Sequence, residues 1–177
     1  MAKMKRAYLD DSRIVDTIQA VVEHDGEERT LQVPVFDLKY LSAGHCSAYV
    51  RMAAEKLFGK HYIYPCPTWQ RKSKDKLIAL IENDRELRSF VDEGFLVPGM
   101  GISFYNPHNL NNMKMDKEGY VTYPTHFTLF LGRSTLDRDM VVAHQYGKQT
   151  SVETIGNFRR DMLKRALVAK EVIDSWN

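Results

Sequence analysis

Cys46, His126 and His144 are the side chains of this sequence whose types and settings suit nucleophilic chemistry. A thiolate is the strongest nucleophile a protein carries unaided, but a free thiol is mostly protonated near neutral pH. Cys46 lies near the start of GHCSAYVRMAAEKLFG, residues 44 to 59, where Ala48, Tyr49, Met52, Ala53, Lys56 and Leu57 repeat at helical spacing and Gly59 stands where a helix stops. The spacing predicts a helix with Cys46 in its first turn. Unpaired backbone N–H groups and the positive end of the helix dipole favour an anion there, so the thiol ionises more readily and attacks better. The competing reading is structural, Cys46 as a small buried apolar residue.

The imidazoles come from two apolar runs. Residues 120 to 131, YVTYPTHFTLFL, and 140 to 145, MVVAHQ, read as strands joined by the turn-rich GRSTLDRD. In a hairpin centred near Thr135, facing residues have numbers summing to about 270, which makes His126 and His144 direct partners. Period-two alternation puts Thr128 and Phe130 on the face of His126, and Val142 and Met140 on that of His144. A nucleophile at a helix start, an imidazole to take its proton and a second polar group to orient that imidazole make a thiol-hydrolase triad. Asp137 and Asp139, in the connecting turn, are the other candidates for the third role. The same three residues could hold zinc, but none of the short spacings that announce a zinc site is present, so neither metal nor cofactor is expected. His24, His61 and His108 fall in a turn, a connection and a polar loop.

The remaining elements must position these groups. Asp25-Gly26 between apolar stretches predicts a hairpin over residues 15 to 35, with Pro34 marking the second arm as an edge or an ending strand. HYIYPCPTWQ, from 61 to 70, is a rigid connection, and Cys66 between its prolines is structural. Ser73 to about Glu93 reads as a second helix, with a break near Asn83-Asp84 and a stop at Gly94. Pro98-Gly99 introduces a strand from Ile102 to Tyr105, and residues 106 to 119 form a long polar loop. A last helix is expected from Asn157, with Arg159, Arg160, Lys164 and Arg165 as a basic patch near its start.

The totals bound the class. A chain of 177 residues, 44% hydrophobic, suits one domain with an ordinary core. Twenty-five Lys and Arg against 23 Asp and Glu give no reason to expect nucleic acid as partner. Asp10, Asp11 and Arg13 interrupt the N-terminus before any apolar core of signal-peptide length, and no apolar run reaches the roughly 20 residues that span a bilayer. The expectation is synthesis in the cytoplasm, no membrane insertion and a monomer.

Three blocks in this order, GHCSAYVRMAAEKLFG, LVPGMGISFYNP and THFTLFLG followed by VVAHQYG, resemble the NlpC-like branch of the papain-fold cysteine peptidases. The resemblance covers about Tyr40 to Tyr146. It implies an α+β, papain-like NlpC-type fold, the Cys helix packed on an antiparallel sheet that carries the histidines, with the N-terminal hairpin and the C-terminal helix as additions. It implies cleavage of an amide bond in peptidoglycan stem peptides, with Cys46 as nucleophile, His126 as base and His144 as orienting residue. Tyr40, His45 and Ser47 are the positions it implies near the substrate. Met100 stands where the family has an aspartate, and His45 where it has an acidic or amide residue. Small amidase toxins delivered between bacteria resemble the same Gly-x-Cys-x-x-Tyr-Val-Arg stretch. Such an enzyme reaches the wall by lysis, by injection or in a phage particle. The rivals are a same-fold acyltransferase or deamidase, and a catalytically silent domain that binds a partner through the 106 to 119 loop.

Overall fold

The computed structural model describes residues 11–36, 45–59, 77–81, 83–104, 126–146, 149–158 and 166–169. Tyr40, Cys66, the 106–119 loop and the basic patch at 159–165 lie outside the described residues, as do the side chains of His45 and Ser47.

Asp25 and Gly26 both take positive φ, 50° and 76°, the pair of conformations a two-residue hairpin turn requires. They join β1 (Ile14–His24) to β2 (Glu27–Phe36), the hairpin expected from the sequence. β2 ends the strand order, which suits Pro34 and its missing N–H. Helix α1 (His45–Phe58) buries Ala48, Tyr49, Val50, Ala53 and Ala54. It stops at Gly59, whose φ of 65° lets its N–H reach the carbonyl of Glu55 at 2.8 Å.

The expected helix from Ser73 to Glu93 is corrected by the structure. Leu77–Ile81 is a strand, β3, and only Asp84–Asp92 is helical, as α2. Leu-Ile-Ala-Leu-Ile is a short unbroken apolar run, for which periodicity cannot separate helix from strand. Asn83 decides the start of α2, its side chain accepting from the Glu86 N–H at 2.9 Å. With that start, Asp84 and Glu86 fall in the first turn, where the helix dipole favours them.

β4 (Gly101–Phe104), β5 (His126–Ser134), β6 (Met140–Tyr146) and β7 (Gln149–Thr154) follow. The C-terminal helix is corrected too: Ala166–Ala169 is a strand, β8, which pairs with β3 and β4. Ala-Leu-Val-Ala is too short for its period to mean anything, and the partner strands decide. The protein is α+β, with eight described strands in one sheet and every pairing antiparallel. Among the described residues no helix is long and apolar enough to cross a membrane.

β5 is the centre of the sheet. One edge carries β4 at its start and β1 at its end, while β6 runs along the other. Alternation along β5 and β6 sends side chains into two clusters. Phe127, Leu129, Leu131, Val141 and Ala143 pack with α1, β1 and β2. Phe130, Met140 and Val142 pack on the reverse side with Phe104, Met100, Leu87 of α2 and Phe158. On the α1 side the sheet curls until β2 meets β7, where the Phe36 N–H donates to Thr150 Oγ1 at 3.1 Å and the Thr150 hydroxyl donates to Gln145 Oε1 at 2.6 Å.

Gly101 shows how tightly β4 meets β5. A Cβ there would stand 2.2 Å from Cζ of the buried Phe127 ring. Gly101→Ala is expected to cost about 1–3 kcal/mol in urea unfolding through overpacking alone. An unchanged midpoint would mean that the ring has room to turn away.

Candidate functional site

His126 opens β5 and His144 lies near the end of β6, so the hairpin between them sets their relation. The observed register pairs Leu129 with Ala143 and Phe130 with Val142, sums of 272 where about 270 was expected. His144 therefore falls level with position 128, and the histidines are diagonal neighbours instead of direct partners. A shift of two residues leaves every side chain on its expected face, whereas a shift of one would have separated them. The register changes again between Phe130 and Gly132, at a bulge. Gly132 sits there with φ 134°, and a Cβ would stand 3.0 Å from Val22 Cβ, so a side chain there would be strained in the backbone and would press on β1.

Diagonal placement still lets the rings meet. His126 Nε2 lies 2.9 Å from His144 Nδ1, the rings nearly perpendicular with centroids 4.9 Å apart. Both are buried, 5% and 4% exposed. Phe158 covers them, stacked on His126 at 6.0 Å and edge-on to His144 at 4.8 Å. A turn after β7 holds Phe158 in place, its N–H donating to the Thr154 carbonyl at 2.8 Å. The second nitrogen of His144, Nε2, lies 3.1 Å from Glu153 Oε2 on β7. The result is one chain of contacts, His126 to His144 to Glu153, buried at one end and reaching solvent at the other, where Glu153 is 29% exposed.

Sequence reasoning missed Glu153. A signal exists in Gly147-Lys148, which can turn β6 back as a hairpin. The observed pairing of His144 with Ser151 then puts Glu153 on the histidine face, one diagonal step away.

Cys46 is half-buried in the first turn of α1, as expected, and its thiol is not in a disulfide. Two observations fix which end of the sheet it occupies. Phe58, the last residue of α1, shares a cleft of about 390 Å³ with Leu131 and Val22, toward the far end of β5. Tyr49 meets Phe36 edge-on at 5.8 Å, beside the Thr150–Gln145 bond and therefore next to His144. α1 thus runs in the same direction as β5. Twelve helical residues from Phe58 back to Cys46 span about 18 Å, and five strand residues from Leu131 back to His126 span about 17 Å. By these lengths the start of α1 falls toward the end of the sheet where the histidines lie. It packs against the cluster on the α1 side, whereas both imidazoles stand against Phe158 on the reverse side. The structure thus brings His126 and His144 together and sets Cys46 at the same end of the sheet, across the β5–β6 pair.

Burial also acts on Tyr49. It raises the phenol pKa well above its ordinary value, and the hydroxyl donates to the Pro34 carbonyl at 3.2 Å. Tyr49 therefore stays neutral and anchors α1 to β2.

The two aspartates of the turn are corrected as candidates for the third role. They lie beyond Ser134, at the opposite end of β5 from His126, a distance of about 25 Å along the strand. Asp139 is engaged there, Oδ1 accepting from Arg88 Nε and from the Met140 N–H at 2.9 Å each, Oδ2 from the Gly156 N–H at 2.9 Å. Burial pushes its carboxyl up, but Arg88 and the two backbone donors outweigh this and hold it below the ordinary carboxylate value. Asp137 caps the same turn by accepting from the Asp139 N–H. Among the described residues no three His, Cys, Asp or Glu converge on a position fit for a metal ion.

Compared with protein-family models, with curated proteins and with solved structures, the chain finds no match in any of the three.

Proposed function

We propose that the protein is a thiol hydrolase that cleaves an amide bond in peptidoglycan stem peptides through an acyl-enzyme on Cys46. The observation that carries this reading is the buried His126–His144 pair at the end of the sheet where α1 begins. Two imidazoles bonded to each other under an aromatic cover are expensive to keep dry unless their polarity is used, since buried polar groups lose water and must find partners. In the proposed cycle His126 takes the thiol proton, the thiolate attacks the carbonyl carbon, and the same imidazole protonates the leaving amine. Water then hydrolyses the thioester. The helix start supports the thiolate, and the Cys46 N–H is one donor to the oxyanion. The fold that goes with this reading is the papain-like NlpC arrangement, a Cys helix packed on an antiparallel sheet bearing histidines. Delivery by lysis, injection or a phage particle brings the substrate within reach, and release by phage lysis is the preferred version.

The cycle requires Cys46 and His126 to meet round the start of β5. Their packing on opposite sides of the β5–β6 pair favours a second reading, in which Cys46 is a core residue and the domain binds a partner without turning it over. Alkylation of the native protein separates the two. Under the hydrolase reading Cys46 labels rapidly below neutral pH and slows in His126→Ala, with Cys66 as internal control. Labelling no faster than that of Cys66, and indifferent to His126, leaves the binding reading.

A further inference from the structure

We infer that Glu153 is a positioning residue that fixes which nitrogen of His126 carries a proton. The inference rests on the reading of His126 as the base and adds a fourth member to the site, on a strand outside the stretch that carries the family resemblance.

The argument is one of donors and acceptors. An imidazole offers two nitrogens, and when neutral one donates and the other accepts. Distances alone leave the direction of the His126–His144 bond open. A carboxylate closes the question, because it only accepts. Glu153 Oε2, 3.1 Å from His144 Nε2, draws the His144 proton to that nitrogen. His144 Nδ1 is then the acceptor of a neutral ring, and at 2.9 Å it takes its hydrogen bond from His126 Nε2–H. His126 Nδ1 is left as the unprotonated, basic nitrogen. With one proton on each ring, Glu153 dictates the place of both. The same carboxylate stabilises positive charge that arrives on the pair when His126 takes a proton, by a field that passes through His144.

The Phe158 ring that faces both imidazoles offers neither of them a hydrogen bond.

The test is the tautomeric state of the histidines, read from long-range proton–nitrogen spectra of the full chain labelled with ¹⁵N-histidine, in the wild type, Glu153→Gln and Glu153→Ala. The wild type is expected to show Nε2–H on both His126 and His144. Glu153→Ala is expected to give a mixture of tautomers at His126 with the backbone amide spectrum otherwise kept, and Glu153→Gln, whose amide oxygen still accepts, to restore most of the wild-type state. Amide hydrolysis should fall about tenfold to a hundredfold in Glu153→Ala and recover partly in Glu153→Gln. Nδ1–H on His126 in the wild type, or identical tautomers in all three proteins, would overturn the inference. If the wild type hydrolyses no stem peptide yet its tautomers follow Glu153 as described, the proton-placing role stands and the hydrolase reading falls.

Discussion

Replacing His126 with alanine is expected to lower hydrolysis of a stem-peptide amide bond by about 10³-fold or more, because in the proposed cycle both proton transfers pass through that ring. Cys46→Ala should abolish the acyl-enzyme altogether, so the two single variants and the double variant should be almost equally inactive, as members of one catalytic unit are. His144→Ala should cost less, about 10- to 100-fold in kcat with little change in KM, since the proposed cycle gives it only the orientation of the base. Asp139→Asn should leave the rate alone, because that side chain is engaged by Arg88 at the other end of β5. Release of amine ends from purified muropeptides, followed over time, measures all of these. A His144→Ala enzyme as fast as the wild type would remove the orienting role that its bond to His126 suggests.

Asp139→Ala is expected to destabilise the fold by about 2–3 kcal/mol at neutral pH, chiefly through two backbone N–H groups left without a charged acceptor. Arg88 contributes to holding the carboxyl ionised, although solvent at its 37% exposed guanidinium weakens the pair. The pH dependence has a definite sign. Asp139 has a folded-state pKa below its unfolded one, so its contribution is complete above the unfolded value and fades as pH falls toward the folded value. Urea midpoints of wild type and variant should therefore differ most near neutral pH, and the charge-dependent part of the gap should close as pH falls through the folded-state value, which lies below the unfolded one. A gap that persisted at low pH would mean that packing, not charge, holds this corner. The corner is close-fitting in any case, since a Cβ on Gly156 would stand 2.8 Å from Asp139 Oδ2.

What the sequence shows clearly here is what local physics dictates. Asp25-Gly26 can turn a hairpin because both positions tolerate positive φ, and the α1 stretch can only be helical because its apolar residues share one face and Gly59 ends it. Where tertiary pairing decides, the sequence is silent. Leu77–Ile81 and Ala166–Ala169 are strands because they find each other, a contact between segments far apart in the chain. The histidine pair was legible because strand alternation is strict, and an error of two residues in register preserves the face. Glu153 was not, because Gly147-Lys148 is a weak turn signal and a lone glutamate among polar residues carries no mark of its partner. The side of the sheet that Cys46 occupies was likewise hidden, since helix spacing gives the face a helix buries but not the sheet face it meets.

The bond between the Phe36 N–H and Thr150 joins residues 114 apart in the sequence, and it bears on how the molecule assembles. Bringing such distant points together forfeits chain entropy that a single hydrogen bond does not return, so the contact forms only after others have shortened the effective loop. The hairpins β1–β2 and β5–β6 are local and suited to form first, with α1 collapsing between them. The β2–β7 seam then shuts behind the helix. Since Gln145 belongs to that seam and His144 is its neighbour, the place where thiol and imidazole are brought level is among the last parts of the chain to be completed. A nascent or partly folded chain therefore lacks this arrangement of Cys46 and the histidines until the seam has closed.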